Sequence, residues 1–322
     1  MTQSASTAGA ESAAAPLFQK LLPLGMLLVL GALWGLAFSL AKISRTNGVP
    51  PLGHAFWQAS GAGLILYCVC WARGIRPALS RAHIRYYLFA GLIGFAGPNA
   101  NMVFTLNFVP VGVMAVMITT VPVITYILAI ALRMERLAAM RALGVAFGLG
   151  GALLILLPST SLPDPAMAVY AAIGLITPLL YAVANIGMAR WRPQGRGGHS
   201  LSLACGMTIA AGVGLCIAML ATGQTYLLGE DGWQLRDTAI AGQALITAVA
   251  FGIFFELLRM VGPVVAGAVG FAVTTGGILW GIAIFGETHS VWVWGAVVLV
   301  LIGLVLVNTP TGSGRIPKVP AG

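Results

Sequence analysis

The sequence predicts an all-α integral membrane protein in which ten transmembrane helices form two inverted five-helix repeats. Composition is the first observation behind this prediction. Of 322 residues, 59% are hydrophobic and only 8% are charged, whereas a soluble domain carries roughly 25% charged residues. The other two observations are the alternation of basic residues between the two sides of a membrane and the recurrence of motifs along the chain. A soluble enzyme, a secreted disulfide scaffold and a disordered chain are excluded.

Ten apolar segments have the length of about 20 residues that a helix needs to cross the hydrocarbon. Two runs, 86–132 and 239–285, are too long for one span. We divide them at Pro110 and at Gly262-Pro263, because proline lacks the backbone N–H and disfavours helix before it. The predicted spans, numbered one to ten, are 21–41, 52–72, 86–106, 109–132, 138–158, 168–189, 201–221, 239–258, 263–285 and 291–308.

The chain outside the spans is too short for a soluble domain. Residues 1–20 are small and polar and predict a disordered cytoplasmic tail, and 309–322 predict a second cytoplasmic tail. Between them we place the first five-helix repeat at 21–158 and the second at 166–308. The apolar run after Lys20 is of span length, which indicates an uncleaved helix rather than a signal peptide.

The basic residues orient the spans. With the N-terminus inside, 14 of the 17 Lys and Arg residues fall on the inner side. Because cytoplasmic loops are enriched in Lys and Arg, this bias predicts a bacterial inner-membrane protein with both termini in the cytoplasm. It also explains the net charge of +9 without a nucleic-acid partner, since the charges are scattered rather than gathered on one face.

Several motifs recur between the two halves at an offset of about 150 residues, as expected of an internal repeat. The corresponding residues are Pro110 and Pro263, Glu135 and Glu287, and Gly144 and Gly295. Because each predicted repeat has five spans, an odd number, the second repeat enters the membrane from the opposite side. Chance similarity between two apolar halves is the alternative interpretation.

Motifs of other function classes are missing from the sequence. A Walker A loop, a G-x-S-x-G elbow, an H-E-x-x-H helix and paired deep aspartates are all absent, so we expect neither ATP drive nor an enzyme. We predict no cofactor and no metal, and a packing role for the four cysteines. A non-saturable channel and a membrane sensor or scaffold remain as alternatives from other classes.

The first span resembles the opening signature of a transporter family. Its motif resembles the EamA-like ten-helix members of the drug/metabolite transporter superfamily. The motif consists of Trp34-Gly35, then Phe38 and Lys42, and it is followed by Pro50-Pro51. Gly286-Glu287 resembles that family's Gly-Glu pair after span nine. Met134-Glu135 departs from it after span four, where Met replaces Gly.

The resemblance covers residues 20–310 and implies inner-membrane transport of small metabolites. Within the superfamily the chain most resembles the aromatic amino-acid exporter branch (YddG-like). The implied function is an amino-acid exporter that works by alternating access. Drugs, nucleosides and other metabolites are alternative substrates.

Polar and aromatic residues at membrane depth are the candidate substrate contacts, because such groups are costly unless they face protein or a water-filled cavity. The Gly97-Pro98 break in span three frees backbone groups beside two asparagines. The predicted substrate-binding residues are Trp34, Phe38, Lys42, Asn99, Asn101, Tyr126, Tyr181, Asn185, Gln243 and Trp280. Core packing or interhelical hydrogen bonding is the alternative role for each.

The charged residues predict the kind of substrate. Lys42 lies at the outer end of span one, where it attracts a substrate carboxylate or reaches the lipid head groups. His54 is expected to be a hydrated residue near the outer face. Glu256 is the only acid inside a span, and we expect it to pair with Arg259 rather than carry protons. The expected partners are a neutral or zwitterionic small molecule and the lipid bilayer, with a monomer favoured and a dimer left open.

Overall fold

The structure is a computed structural model that describes residues 5–134, 137–156, 164, 166–193, 199–266 and 269–308. Within these ranges every regular element is helical, so the all-α prediction is confirmed. The tail predicted at 309–322, together with Glu135, lies outside the described residues.

The first half of the chain contains seven described α-helices and one π-helical segment. They are α1 (Ala5–Thr46), α2 (Pro51–Ala72), α3 (Arg81–Gly91), the π segment (Leu92–Ala96), α4 (Gly97–Thr105), α5 (Val111–Ile118), α6 (Val121–Ala131) and α7 (Ala139–Leu156).

The second half contains six described helices. They are α8 (Met167–Gly174), α9 (Ile176–Arg190), α10 (Ser200–Thr222), α11 (Leu235–Ala266), α12 (Val269–Phe285) and α13 (Val291–Asn308).

Prolines set several helix boundaries. Pro51 is the first residue of α2, and Pro110 precedes α5, which places the break of the run 86–132 where the sequence predicts it. Spans three, four and six are divided in the structure, and the last piece of each carries a proline in its first turn: Pro98, Pro122 and Pro178. Proline is tolerated in the first turn because its missing N–H has no helical partner there.

Two predicted boundaries differ from the structure. The helix α11 continues through Gly262 and Pro263 to Ala266, so the predicted break before Pro263 is wrong. Proline kinks a helix without always ending it. At the N-terminus, α1 already begins at Ala5, whereas the sequence predicts a disordered tail over 1–20.

Six described helical segments are long and apolar enough to cross a membrane, judged by length and composition alone. They are Leu22–Thr46, Pro51–Ala72, Val111–Ala131, Met167–Met188, Ser200–Thr222 and Leu235–Phe254, and three shorter apolar helices accompany them. Large apolar side chains such as Leu64, Leu153 and Ile217 lie exposed on the outside. An apolar outer surface of this kind is typical of a protein that faces lipid.

The helices pack in a small number of extensive pairs. α2 packs against α10, α7 against α13, and α5 against α12. α1 lies against both α11 and α12, while α9 lies against α4 and α6, and α3 against α10. The largest buried apolar cluster combines residues of α1, α4, α5, α12 and α13, including Leu30, Met102, Met114, Ile278 and Val297.

Glycines permit the closest of these contacts. Two glycines of α7 lie against different helices: a β-carbon at Gly151 would overlap Val300 of α13, and a β-carbon at Gly148 would overlap Val123 of α6. The backbones of α1 and α12 also touch, because a β-carbon at Gly35 would overlap the backbone of Gly276 and Gly277. Small residues at such positions let membrane helices approach closely.

Candidate functional site

The interruption in the predicted third span creates the first part of the site. The π segment Leu92–Ala96 leads directly into α4, which opens with Gly97-Pro98. Asn99 is buried, and its Nδ2 donates a hydrogen bond of 2.8 Å to the Phe95 carbonyl oxygen in the π segment. The side chain thus donates to a backbone acceptor in the irregular turn.

Asn101 connects this interrupted helix to the junction of α8 and α9. Its Nδ2 donates to the Ile173 carbonyl at 3.0 Å and to Thr177 Oγ1 at 2.8 Å. The Thr177 hydroxyl donates in turn to the Pro98 carbonyl at 3.4 Å. Tyr181 lies one turn after Thr177, and its side chain interacts with that of Asn99. We call Asn99, Asn101, Thr177 and Tyr181 the asparagine cluster.

The asparagine cluster brings together three of the ten predicted contacts. Asn185 lies one turn beyond Tyr181 but is exposed, so the structure does not place it with them. Both hydrogens of the Asn101 amide are engaged with protein groups, which leaves its Oδ1 as the acceptor of that side chain.

An aromatic group lies between α1 and α11. The Trp34 ring is 5.5 Å from the Phe254 ring and 6.3 Å from the Phe251 ring, centroid to centroid. Phe251 packs against the same apolar cluster as Ala100, next to Asn101 in the chain. Trp34 thus packs on α11, and its helix α1 also contacts α4. Phe38 is buried against Gly277 of α12.

Gln243 belongs to a second polar group that joins α1, α2 and α11. His54 Nε2 lies 2.8 Å from Gln243 Oε1, and His54 Nδ1 lies 2.8 Å from Ser44 Oγ. One turn further along both helices, Gln58 Nε2 donates to Thr247 Oγ1 at 3.1 Å. His54 is completely buried, so its expected hydration at the outer face is wrong. We call these five residues the histidine ladder.

Lys42 is held by an acid 245 residues away in the sequence. Its Nζ donates to Glu287 Oε1 at 2.9 Å and lies 4.8 Å from the centre of the Phe285 ring. The same carboxylate accepts the backbone N–H of Val111 at 2.7 Å and of Gly112 at 3.0 Å, at the N-terminus of α5. An anion is stabilised there by the helix dipole. Lys42 is thus an ion-pair partner in this structure, rather than a lone cation at a cavity mouth.

His289 completes the surroundings of Glu287. Its Nε2 lies 3.7 Å from Glu287 Oε2, beside Gly112. Burial lowers the pKa of His289 below its usual value, with the Glu287 carboxylate opposing that effect and the Lys42 ammonium adding to it. Lys42 is therefore the cationic partner of Glu287 at neutral pH.

Two further predicted contacts have partners elsewhere in the fold. The Tyr126 hydroxyl accepts the Ala138 N–H at 3.0 Å, and the Arg141 guanidinium lies 5.5 Å from its ring. The Trp280 Nε1 donates to the Ala32 carbonyl of α1 at 3.1 Å. These bonds join α6 to the start of α7 and α12 to α1. The structure does not bring either residue to the asparagine cluster.

The sequence did not predict Ser44 and Thr247 as members of the histidine ladder. It also did not predict the ion pair between Glu287 and Lys42. A signal for the histidine ladder was present, because His54 and Gln58 are four residues apart and Gln243 and Thr247 are too. Residues four apart share one face of a helix. Within the described residues, no group of three or more His, Cys, Asp or Glu could hold a metal ion.

Part of the chain matches a known protein family. Residues 21–157 match the model of the EamA-like transporter family. This match, together with the relatives described below, supports the drug/metabolite transporter superfamily. This confirms the resemblance drawn from the Trp-Gly and Gly-Glu motifs, while the YddG-like branch stays a prediction.

The relatives of this chain cover most of its length. The proteins described as uncharacterized inner membrane transporter YedA of Escherichia coli K12 and Escherichia coli O157:H7 are each 28% identical to it over 306 residues. These matches cover 90% of this chain and 92% of each relative. One crystal structure of a protein superposes with a TM-score of 0.59 at 16% identity, over 90% of this chain and 96% of that chain, and shows the fold alone.

Proposed function

We propose that this EamA-like protein is an inner-membrane secondary carrier of small zwitterionic metabolites, with amino acids as its first candidate substrates. The asparagine cluster carries the proposal. It lies where two interrupted apolar helices meet, and interrupted helices form the substrate sites of many secondary transporters. Polar side chains inside a membrane mark substrate pathways because they are costly elsewhere.

The chemistry of the cluster suits a zwitterion. The Asn101 Oδ1 accepts a hydrogen bond from a substrate ammonium group, and the Tyr181 hydroxyl both donates and accepts. Trp34, Phe251 and Phe254 supply an aromatic wall for the substrate side chain. This combination supports an amino acid with a large apolar or aromatic side chain as the preferred substrate.

Helix packing supports alternating access between inverted repeats. Contacts recur in pairs when each helix is exchanged with its counterpart about 150 residues away, as an inverted repeat requires. The contact of α1 with α11 corresponds to that of α9 with α4. The contact of α1 with α12 corresponds to that of α9 with α6, and the contact of α2 with α11 corresponds to that of α10 with α3. Two similar halves of opposite orientation can exchange conformations and expose one site to each side in turn.

Uptake into proteoliposomes tests the function. We expect saturable uptake and counterflow of labelled amino acids, strongest for aromatic ones. Non-saturable uptake would indicate a channel. If uptake of nucleosides or drugs is saturable and uptake of amino acids is not, the proposed substrate class is wrong.

The Asn101→Ala variant tests the site. Removing a hydrogen bond to a charged substrate group costs about 1.5 kcal/mol or more, so we expect at least roughly a tenfold loss of affinity. Asn47→Ala is the matched control, since Asn47 is exposed and its side-chain amide donates to the Ile43 carbonyl of α1, away from the asparagine cluster. Wild-type uptake by correctly folded Asn101→Ala protein would exclude Asn101 from the site.

A further inference from the structure

The histidine ladder ties together helices that belong to different predicted repeats. His54 and Gln58 lie on α2 in the first half, and their partners Gln243 and Thr247 lie on α11 in the second half. Both bonds join residues 189 apart, so α2 and α11 run parallel at this contact. A movement of one half relative to the other must therefore break or shift these bonds.

His54 has a hydrogen-bond partner for each ring nitrogen in either protonation state. A glutamine oxygen only accepts, so the proton of the neutral ring lies on Nε2 and points to Gln243 Oε1. The Ser44 hydroxyl then donates to Nδ1. If a second proton binds at Nδ1, the Ser44 hydroxyl needs only to rotate and accept it. No heavy atom has to move.

Two buried polar atoms of the histidine ladder have no hydrogen-bond partner among the described residues. Gln243 Nε2 and Gln58 Oε1 are buried atoms without a described partner, and Gln243 is completely buried. Buried polar groups without a partner are costly, so a water, an ion or another state of the protein is needed to supply one.

Charged groups on the neighbouring elements are engaged away from His54. On α1, Lys42 pairs with Glu287, and Arg45 donates to the Val49 carbonyl at 3.5 Å. The described segments of α10, α4 and the π segment carry no Lys, Arg, Asp or Glu, although α10 contains the thiols of Cys205 and Cys216.

On α11 and the loop before it, the ionisable groups bond with one another. Asp237 accepts from the Tyr226 hydroxyl at 2.6 Å and from the backbone N–H of Gln234 at 2.8 Å. Arg236 pairs with Asp231. Glu256 lies thirteen residues after Gln243, about 20 Å along the helix. No described carboxylate therefore contacts the His54 ring.

We propose that His54 is a proton-binding residue that couples substrate movement to the pH gradient. This inference rests on the proposed transport function. When the two halves separate at this contact, the bond to Gln243 breaks and Nδ1 takes a proton from water on the open side. When the contact forms again on the return, it removes the ring from water, which disfavours the charged form, and the proton leaves to water on the other side. Imidazole suits this role because its ordinary pKa lies near physiological pH.

The test separates coupling from transport itself. In proteoliposomes loaded with a pH gradient, with the membrane potential clamped, labelled L-phenylalanine is the probe. Coupling of one proton per substrate gives the wild-type protein up to about tenfold accumulation per pH unit, since one pH unit equals about 1.4 kcal/mol. We expect His54→Gln to lower this ratio to about 1 while counterflow without a gradient continues.

Two variants guard against a folding defect. In His54→Gln the amide can still donate to Gln243 Oε1, and His54→Asn offers a shorter amide to Ser44. His83→Gln is the matched control, because His83 is a buried histidine on α3 that bonds with Ser80 outside the ladder. Accumulation by His54→Gln equal to that of wild type would overturn the proposal. Wild-type counterflow without any gradient-driven accumulation would do the same.

A measurement without substrate keeps the inference testable if no counterflow is found, a result that would instead contradict the proposed function. Histidine ring NMR in lipid nanodiscs identifies the His54 signal by its loss in His54→Gln. A signal that shifts between about pH 5 and 8 supports proton binding, and a signal that stays constant over this range refutes it.

Discussion

At the residue scale, Glu287 joins three helices through one carboxylate. Its carboxylate accepts from Lys42 Nζ and from two backbone N–H groups of α5, and its side chain is only 8% exposed. A buried charge is tolerated when it is paired and fully hydrogen bonded. Glu287 thereby joins the ends of α1 and α12 to the start of α5.

Replacing one partner of this ion pair should leave the other charge buried and unpaired. We expect Glu287→Gln to lower the free energy of unfolding by about 3 kcal/mol, as for other buried pairs that lose one partner. The measurement is unfolding of the purified protein in detergent. Arg236→Gln is the control, because Asp231 in the Arg236 pair is 70% exposed and such pairs add little.

The double variant Lys42→Met with Glu287→Gln shows whether the two residues act on each other. It should be more stable than the sum of the single losses predicts, because no isolated charge remains. If the double variant loses as much free energy of unfolding as the two single variants together, the ion pair has no coupling energy.

At the element scale, the position of a proline within a helix decides its effect. Pro98, Pro122 and Pro178 lie in the first turns of α4, α6 and α9, and each follows an interruption. Pro263 lies inside α11 and does not end it. Asn101 donates to the Ile173 carbonyl at the end of α8, before the interruption that precedes Pro178, and Thr177 donates to the Pro98 carbonyl in the first turn of α4.

Close helix contact gives a second prediction at this scale. Gly35→Leu should destabilise the protein by about 1–3 kcal/mol, because a side chain there overlaps the backbone of α12 and overpacking costs that much. Gly25→Ala on the same helix is the control, since nothing lies within 4 Å of its added β-carbon. Alanine is the better helix former, so Gly25→Ala should keep or slightly raise stability. Equal losses in both variants would exclude the contact as the cause.

At the scale of the whole molecule, the parallel course of α2 and α11 agrees with the predicted direction of spans two and eight. The ion pair between Lys42 and Glu287 likewise joins ends that the basic residues assign to the outer side. Both contacts depend on residues from opposite halves of the chain. The orientation itself follows only from the distribution of Lys and Arg.

Cysteine labelling of intact cells tests this orientation. In a variant without the four natural cysteines, Glu230→Cys should react with a membrane-impermeant maleimide, because residue 230 is predicted outside and is exposed. Arg76→Cys is also exposed but predicted inside, so it should react only after the membrane is opened. The reverse pattern would invert the predicted topology.

The sequence by itself determined the all-α membrane class, the apolar segments and the break at Pro110, because hydropathy and proline act on the chain locally. It also singled out Asn99, Asn101 and Tyr181, since polar groups inside apolar runs are unusual. Only the tertiary structure decided which partner each polar side chain meets. Thr177 is 76 residues from Asn101, Gln243 is 189 from His54, and Glu287 is 245 from Lys42. Helix packing brings such distant groups together, and no local pattern encodes that choice.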